Sequence, residues 1–533
     1  MLEIEIIERK RLEIQNLFES AKTKSERNRI GQFATPPELA RDMLEYAKGL
    51  LSESHQRSIR FLDPAFGTGA FYSALLSSFE ISRIESAQGY EIDPHLAYPS
   101  EGLWAGTPLN LKVADFTQMT PPTINGNRAN LLICNPPYVR HHHLSTDAKR
   151  RLQNLVKNRS GMKLSGLAGL YCYFLLIAHD WLAEDGLAGW LVPSEFMDVN
   201  YGRQIKRYLL QRVKLLHVHR FSPEDVQFGD ALVSSAIVWF KKETPPTSHE
   251  VRFSYGGTLS EPCISYPIST TVLRQSEKWT GFPQRSDSML DKPGQETRFQ
   301  KPRLSDLFYI KRGIATGANE FFILSVEQIE KRGLPQEFFT PILPSPRYLL
   351  TDEVDADENG HPILDQRLFL LTCDLPETVV KERHPSLWEY IQQGVQNGVN
   401  KRYLCRHRSP WYSQEDRPAS PLLCTYMGRM SSGNEKPFRF ILNHSRATAP
   451  NVYLMLYPKS AVASDLRAKP DLLRAVWKAL DEIAPDKLMR AGRVYGGGLY
   501  KIEPKELANA PADGVTSVLS DSGRYPKQLS FFQ

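Results

Sequence analysis

Ile59-Arg60-Phe61-Leu62-Asp63-Pro64-Ala65-Phe66-Gly67-Thr68-Gly69-Ala70-Phe71 packs an apolar strand, a glycine turn and a helix start into one short stretch. The helix continues as Ala70–Phe79. Further strands are expected at Gln88–Ile92, Leu111–Ala114, Ala129–Cys134 and Leu187–Val192, the last after a helix at Tyr171–Ala183. Two more, Leu215–Arg220 and Leu232–Phe240, lie close together. Strands alternating with helices at this spacing predict an α/β fold, a mostly parallel sheet wrapped by helices. The closing pair makes an antiparallel hairpin at one edge, for seven strands in all.

Working outward, residues 1–30 read as a charged helix with Leu2, Ile6, Ile7, Leu12, Ile14 and Leu17 at roughly helical spacing. Pro36-Pro37 opens another, with Thr35 as N-cap and Leu39, Ala40, Met43, Leu44 and Ala47 as its buried face. Through Glu243–Arg303, Pro, Ser, Thr and Gly rise and periodicity fades, the mark of a linker or insertion. From Leu304 a second lobe begins, with Asp471–Ile483 its clearest helix. The expected organisation is an N-terminal helix (1–30), a catalytic domain (31–245), a linker or insertion (246–303) and an α+β lobe (304–533).

Chemistry is concentrated at the strand ends. The glycines after Asp63 let a ligand approach the backbone beside free helix N–H groups, although a bare structural turn has the same look. The turn lacks the GxGxxG of dinucleotide sites and the GKS or GKT of phosphate loops. Glu91, in Gly89-Tyr90-Glu91-Ile92-Asp93, is placed to accept hydrogen bonds from a ribose diol; the alternative is a solvated surface carboxylate. Asp115-Phe116 repeats the arrangement, a carboxylate for an amino group and a ring for a base. Asn135-Pro136-Pro137-Tyr138 follows the apolar run Leu131–Cys134. Its prolines stiffen the loop, and an Asn oxygen with the Pro136 carbonyl can accept both hydrogens of one amino group. Tyr138 can lie on a planar base. Such a site holds an amine rigid; the plain alternative is a turn with an aromatic plug.

In order, DPAFGTG, GYEID, ADF and NPPY resemble the amino-methyltransferases, and most closely the γ-class adenine-N6 DNA methyltransferases of bacterial type II restriction–modification systems. Gly31-Gln32-Phe33-Ala34-Thr35-Pro36 is similar to that family's N-terminal cofactor segment. Gln227-Phe228-Gly229 resembles the segment whose aromatic ring stacks on an extruded adenine. Ile310–Asn319 and Val494–Pro504 look like the start and end of its target-recognition domain. The resemblance implies a Rossmann-like S-adenosylmethionine-dependent methyltransferase domain. In it Asn135, Pro136, Pro137 and Tyr138 form the catalytic motif. Gln32, Phe33, Thr35, Asp63, Pro64, Ala65, Phe66, Gly67, Gly69, Glu91, Ile92, Asp115, Phe116 and Asn135 bind the cofactor. Tyr138 and Phe228 sandwich the target base, and no metal is called for. Double-stranded DNA is the expected partner of a monomeric, cytoplasmic bacterial enzyme with a separately encoded cognate endonuclease. The alternative is an RNA or protein-glutamine N-methyltransferase using the same NPPY chemistry; the protein-glutamine enzymes do not need a large basic lobe after the catalytic one, and the RNA enzymes more often carry their RNA module at the N-terminus.

Composition narrows the classes. No apolar run approaches the ~18 residues of a membrane span, and the opening MLEIEIIERKRLEIQ is charged where a secretory signal is apolar. Six cysteines, Cys134, Cys172, Cys263, Cys373, Cys405 and Cys424, form no CxxC pair, which argues against a zinc or disulfide framework. Cys134 reads as a buried strand residue. Residues 401–510 hold 19 Lys plus Arg against 10 Asp plus Glu, a surplus that suits a polyanion as well as it suits a solvated face. Arg406, Arg408, Asn443 and Arg493 are the base-reading guesses in this lobe. No PD…(D/E)xK nuclease cluster is evident.

Overall fold

In the computed structural model, which describes residues 2–222, 234–283, 302–430, 436–495 and 498–521, the opening strand–turn–helix lies near the centre of a large sheet. The chain divides into two units, the first comprising Met1–Lys292 with Tyr495–Gly497 and the second Pro293–Val494 with Gly498–Gln533. The first unit starts with α1 (Leu2–Ser20), α2 (Lys24–Ile30), α3 (Pro37–Leu50) and α4 (Glu53–Arg57). Then come β1 (Ile59–Asp63), α5 (Ala70–Ser78), β2 (Ile84–Glu91), α6 (Pro94–Leu103), β3 (Leu109–Val113) and β4 (Ala129–Cys134). After α7 (Thr146–Ser160) and α8 (Leu170–Ile177) follow β5 (Leu182–Pro193), α9 (Gly202–Gln211), β6 (Lys214–Arg220) and β7 (Ser235–Lys241). β8 (Glu250–Gly257), β9 (Pro262–Ser269) and α10 (Thr270–Gln275) complete the unit.

The strands form one sheet in the order β3-β2-β1-β4-β5-β7-β6-β8-β9. The run β3 to β5 is parallel, while β7 is antiparallel to both β5 and β6. All of β4 is buried, as befits a parallel strand covered on both faces. Leu131 and Ile133 enter one core with α3 and α5. Leu132 and Cys134 enter the other, with α8. Asn130, polar in this apolar run, accepts the Arg60 N–H (2.9 Å) and donates to the Ser58 carbonyl (2.7 Å), fixing the start of β1.

Two expectations are corrected here. Among the described residues the sheet has nine strands rather than seven, so the β6–β7 pair is not an edge hairpin. The additional strands come from the stretch expected as linker or insertion: β8 adds parallel to β6 and β9 returns antiparallel. Val251 and Phe253 alternate with the exposed Arg252, so a period of two was present under the Pro- and Ser-rich composition. The N-terminal segment is two helices. Thr23 caps the second through a reciprocal bond with Glu26.

The second unit is α+β. Its strands are β10 (Phe308–Arg312), β11 (Ile323–Ser325), β12 (Phe339–Ile342), β13 (Glu353–Val354) and β14 (Leu368–Leu371). They continue as β15 (Leu422–Thr425), β16 (Met427–Arg429), β17 (Phe440–Asn443), β18 (Tyr453–Pro458), β19 (Arg493–Tyr495) and β20 (Leu499–Lys501). β10-β18-β15-β17-β13 form a five-stranded sheet, and β11-β14-β12 and β16-β20-β19 form two three-stranded ones. The expected helix is present as Pro470–Asp481, and helices at Glu377–Arg383, Pro385–Gln396 and Ser460–Ala468 add to it.

Candidate active site

A cavity of about 1120 Å³ opens at the carboxyl ends of β1, β2, β3 and β4. The sheet order reverses between β1 and β4, the crevice where open α/β sheets take ligands. Its size passes the ~300–1,000 Å³ usual for a small-molecule site. Gln32, Phe33, Thr35, Asp63–Gly67, Glu91, Ile92, Asp115, Phe116 and Asn135–Pro137 all border it. Gly69 and Tyr138 do not border it, and Phe228 lies outside the described residues.

The glycine loop is tied to its carboxylates. Asp63 Oδ1 accepts the Ala65 N–H (3.1 Å). Glu91 accepts the N–H groups of Gly67 (2.9 Å) and Asp93 (2.8 Å), one on each oxygen. Each oxygen keeps a second lone pair. Burial raises Asp63 to about 7, with the neighbouring Glu91 charge adding to it, and burial raises Glu91 as well. Gly67 and Gly69 have φ of 57° and 88°, which a side chain resists. At Gly69 an added Cβ would stand 2.7 Å from both the Phe66 ring and Trp104 Nε1. Gly69 therefore builds the loop from behind. Asp115 accepts the Thr117 N–H (2.9 Å) and hydroxyl (2.7 Å). Phe116 borders the cavity, yet its ring is only 1% exposed among Tyr90, Phe174 and Trp181; it is wall rather than an open plate.

The Asn135–Tyr138 loop is laid directly against residues 31–35. Gly31, with φ 67° at the end of α2, accepts the Tyr138 N–H at 2.9 Å. Asn135 Nδ2 donates to the Phe33 carbonyl (2.9 Å) and to Thr35 Oγ1 (3.1 Å). The Phe33 carbonyl can only accept, which sets the amide nitrogen on that side. Asn135 Oδ1 is buried and has no hydrogen-bond partner among the described residues. An acceptor left so costs ~1–3 kcal/mol, and a native protein keeps such a group for a reason. Thr35 does not cap α3: the helix starts at Pro37, so Pro36 is the cap residue, and no side-chain cap bond forms there.

Tyr138 departs from expectation. It is 7% exposed, its ring 5.5 Å from Phe33 and edge-on to Tyr171 at 6.5 Å. Its hydroxyl donates to the Leu191 carbonyl at 3.1 Å. Stacking on a base costs these contacts. Cys134 is fully buried, and burial drives its thiol pKa far up, the opposite of an activated nucleophile.

Some wall residues had no signal in the sequence. Gln15, Phe18 and Lys22 border the cavity from α1 and its C-terminal end. Lys22 bonds Asp93 (3.0 Å) and Gln32 (3.3 Å). Arg151, on α7, reaches Thr117 Oγ1 (3.0 Å) and Asp115 (3.4 Å). His142 and His143 border the cavity from a short 3-10 turn. Burial, then the adjacent histidines, lowers the pKa of His142. In the second unit three of the four guesses prove structural. Arg408 donates to the Thr316 (2.9 Å) and Ala315 (2.6 Å) carbonyls, Asn443 to those of Ser420 and Ala447, and Arg493 to Glu506. Arg406 is exposed, its guanidinium 5.2 Å from the Tyr403 ring.

Comparison with known proteins gives this geometry a family. Residues 111–227 match the family described as Eco57I restriction-modification methylase, and residues 276–522 match the C-terminal domain of type II methyltransferase M.Eco57I. The chain is 27% identical over 522 residues to type II methyltransferase M.AccI of Acinetobacter calcoaceticus, covering 95% of this chain and 88% of that one. Type II methyltransferase M.XamI of Xanthomonas campestris pv. amaranthicola is 27% identical over 485 residues, covering 90% and 84%.

The chain belongs to the type II restriction–modification methyltransferases.

The fold agrees: the type IIL restriction–modification enzyme MmeI, solved in complex with DNA, superposes with TM-score 0.52 at 13% identity, over 91% of this chain and 73% of that one. As a type II methyltransferase it modifies DNA with S-adenosylmethionine as methyl donor. The cavity fits that donor on its own chemistry. Carboxylate lone pairs at Asp63, Glu91 and Asp115 suit an ammonium, a diol and an amino group, while Phe33, Ile92 and Phe174 supply apolar wall. Among the described residues no helix is long and apolar enough to cross a membrane.

Proposed function

We propose that this type II methyltransferase acts on the exocyclic N6 of an adenine flipped out of double-stranded DNA, as a γ-class enzyme. The observation that carries the reading is the Asn135 amide, whose nitrogen is pinned by Phe33 and Thr35 while its buried oxygen lacks a donor among the described residues. An N6–H supplies that donor. The Pro136 carbonyl takes the second N6 hydrogen, and the pair of bonds favours the pyramidal nitrogen whose lone pair is free of the ring. S-adenosylmethionine, when bound, supplies an electrophilic methyl on a sulfonium. Asp63 and Thr35 hold its methionine portion, Glu91 its ribose and Asp115 its adenine, with Phe116 as buried wall behind it. Positioning supplies most of the acceleration, and no cysteine takes part.

Base extrusion costs a few kcal/mol. Tyr138 repays part of it by turning from Phe33 to stack on the base, each such stack being worth ~1–3 kcal/mol; Phe228 is the second stacking residue of the reading. Residues 304–533 act as the target-recognition domain, and a separate gene encodes the cognate endonuclease. Mass spectrometry of nucleosides from DNA treated with the purified protein tests the target: N6-methyladenine is expected. N4-methylcytosine would keep the amine grip and overturn the base assignment, and 5-methylcytosine would overturn both.

A further inference from the structure

The charged helix α1 lies outside both family matches, yet it sends a cation into the loop at the heart of the cavity. Arg11 is 0% exposed. Its Nε and one terminal nitrogen bond both oxygens of Glu8 (2.8 and 2.6 Å). The other terminal nitrogen donates to Gln15 Oε1 (2.8 Å) and to Thr68 Oγ1 (2.9 Å). Glu8 in turn accepts the Ser73 hydroxyl at 2.5 Å, from the first turns of α5.

Thr68 sits between the two left-handed glycines, and its carbonyl accepts Trp104 Nε1 at 3.2 Å. The amide just before it, Gly67 N–H, bonds Glu91. Such glycines leave a loop high conformational entropy to lose, so something must hold it. Burying a guanidinium is a costly way to anchor a helix, for desolvation offsets much of its attraction to the half-buried Glu8. Its bidentate geometry here spends the guanidinium on two tasks, pairing with Glu8 and gripping Thr68.

We infer that Arg11 is a positioning residue of the donor site: through Thr68 it holds the Gly67–Gly69 loop, and with it the Gly67–Glu91 bond, in the binding conformation. This rests on reading the cavity as the S-adenosylmethionine site. Arg11 touches no reacting atom; its effect lies on affinity.

The test uses sinefungin, bound by the full-length protein in a calorimeter, so that no turnover is needed. Thr68→Val keeps the shape and the Arg11–Glu8 pair while removing the acceptor. Arg11→Ala removes the pair. Each should raise the sinefungin Kd about tenfold, the equilibrium factor of a hydrogen bond to a charged group. The double variant should be no worse than Arg11→Ala, and Arg11→Lys should not rescue, since one ammonium cannot reproduce the fork. In turnover, KM for the cofactor should rise far more than kcat falls, with DNA affinity unmoved. Sinefungin affinity within twofold of wild type in Thr68→Val would overturn the inference. So would a loss shared equally by DNA affinity and kcat, which marks general damage. A wild-type protein that binds DNA but no sinefungin would overturn the donor-site reading itself.

Discussion

Replacing Gly31 with alanine isolates the seam on which the site depends. An added Cβ would stand 2.4 Å from the Tyr138 carbonyl carbon and 2.5 Å from the Tyr138 and Val139 nitrogens, all backbone atoms, where ordinary contact begins at 3.4 Å. The two segments must therefore part by about 1 Å at φ 67°, a shift of the size that costs ~100-fold in rate when it misplaces reacting groups. Held in place, the variant bears ~1–2 kcal/mol of left-handed strain and ~1–3 kcal/mol of overpacking. Moved, it gives up the 2.9 Å Tyr138–Gly31 bond, ~0.5–1.5 kcal/mol, and slackens both bonds to Asn135 Nδ2. Gly161 supplies the control: it ends α7 with a similar φ of 68°, and a Cβ there meets nothing within 4 Å. Single-turnover methylation at saturating cofactor should fall about a hundredfold in Gly31→Ala and stay near wild type in Gly161→Ala. Equal rates in the two variants would refute the seam.

Two other outcomes follow from the geometry. A carboxyl whose folded pKa is raised adds stability in its protonated form, fully present below its unfolded value of 3.8 and lost as pH climbs through about 7. Binding an ammonium asks Asp63 for the opposite form, so affinity for S-adenosylhomocysteine should rise roughly eightfold from about pH 6 to about pH 7.5. Asp63→Asn should bind weakly with a flat profile; a wild-type profile already flat would contradict the role. Arg406→Ala should weaken DNA binding and reduce its salt dependence by about one phosphate contact without lowering Tm. Arg408→Ala, which strips two carbonyls of their donor, should lower Tm instead; the reverse pattern in filter binding and calorimetry would refute this division.

What could be read from the sequence was what local pattern decides. The β1–glycine–α5 unit and the apolar run ending in Asn135 were legible because strand, turn and helix signals sit side by side. The edge beyond β6 was not, since β8 carries its alternation inside a Pro- and Ser-rich stretch. Arg11 lies in Glu8-Arg9-Lys10-Arg11, a run that looks like a solvated face; only folding shows which of the three cations is buried and paired with Glu8. Thr35 looked like a cap because a Thr before a proline pair is a common helix start, but α3 begins at the second proline, which makes Pro36 the cap residue. Tyr138 was legible as an aromatic after two prolines, but its packing against Phe33 and Tyr171 depends on three separate segments. Arg408 and Asn443 show the limit in the second unit, where composition marks a basic lobe without saying which side chains face inward.

The amide grip is tested most directly by Asn135→Ala in a transfer assay with tritiated S-adenosylmethionine, paired with sinefungin calorimetry on the same protein. The account predicts that methyl transfer to DNA is abolished while sinefungin still binds. Transfer at the wild-type rate would contradict it.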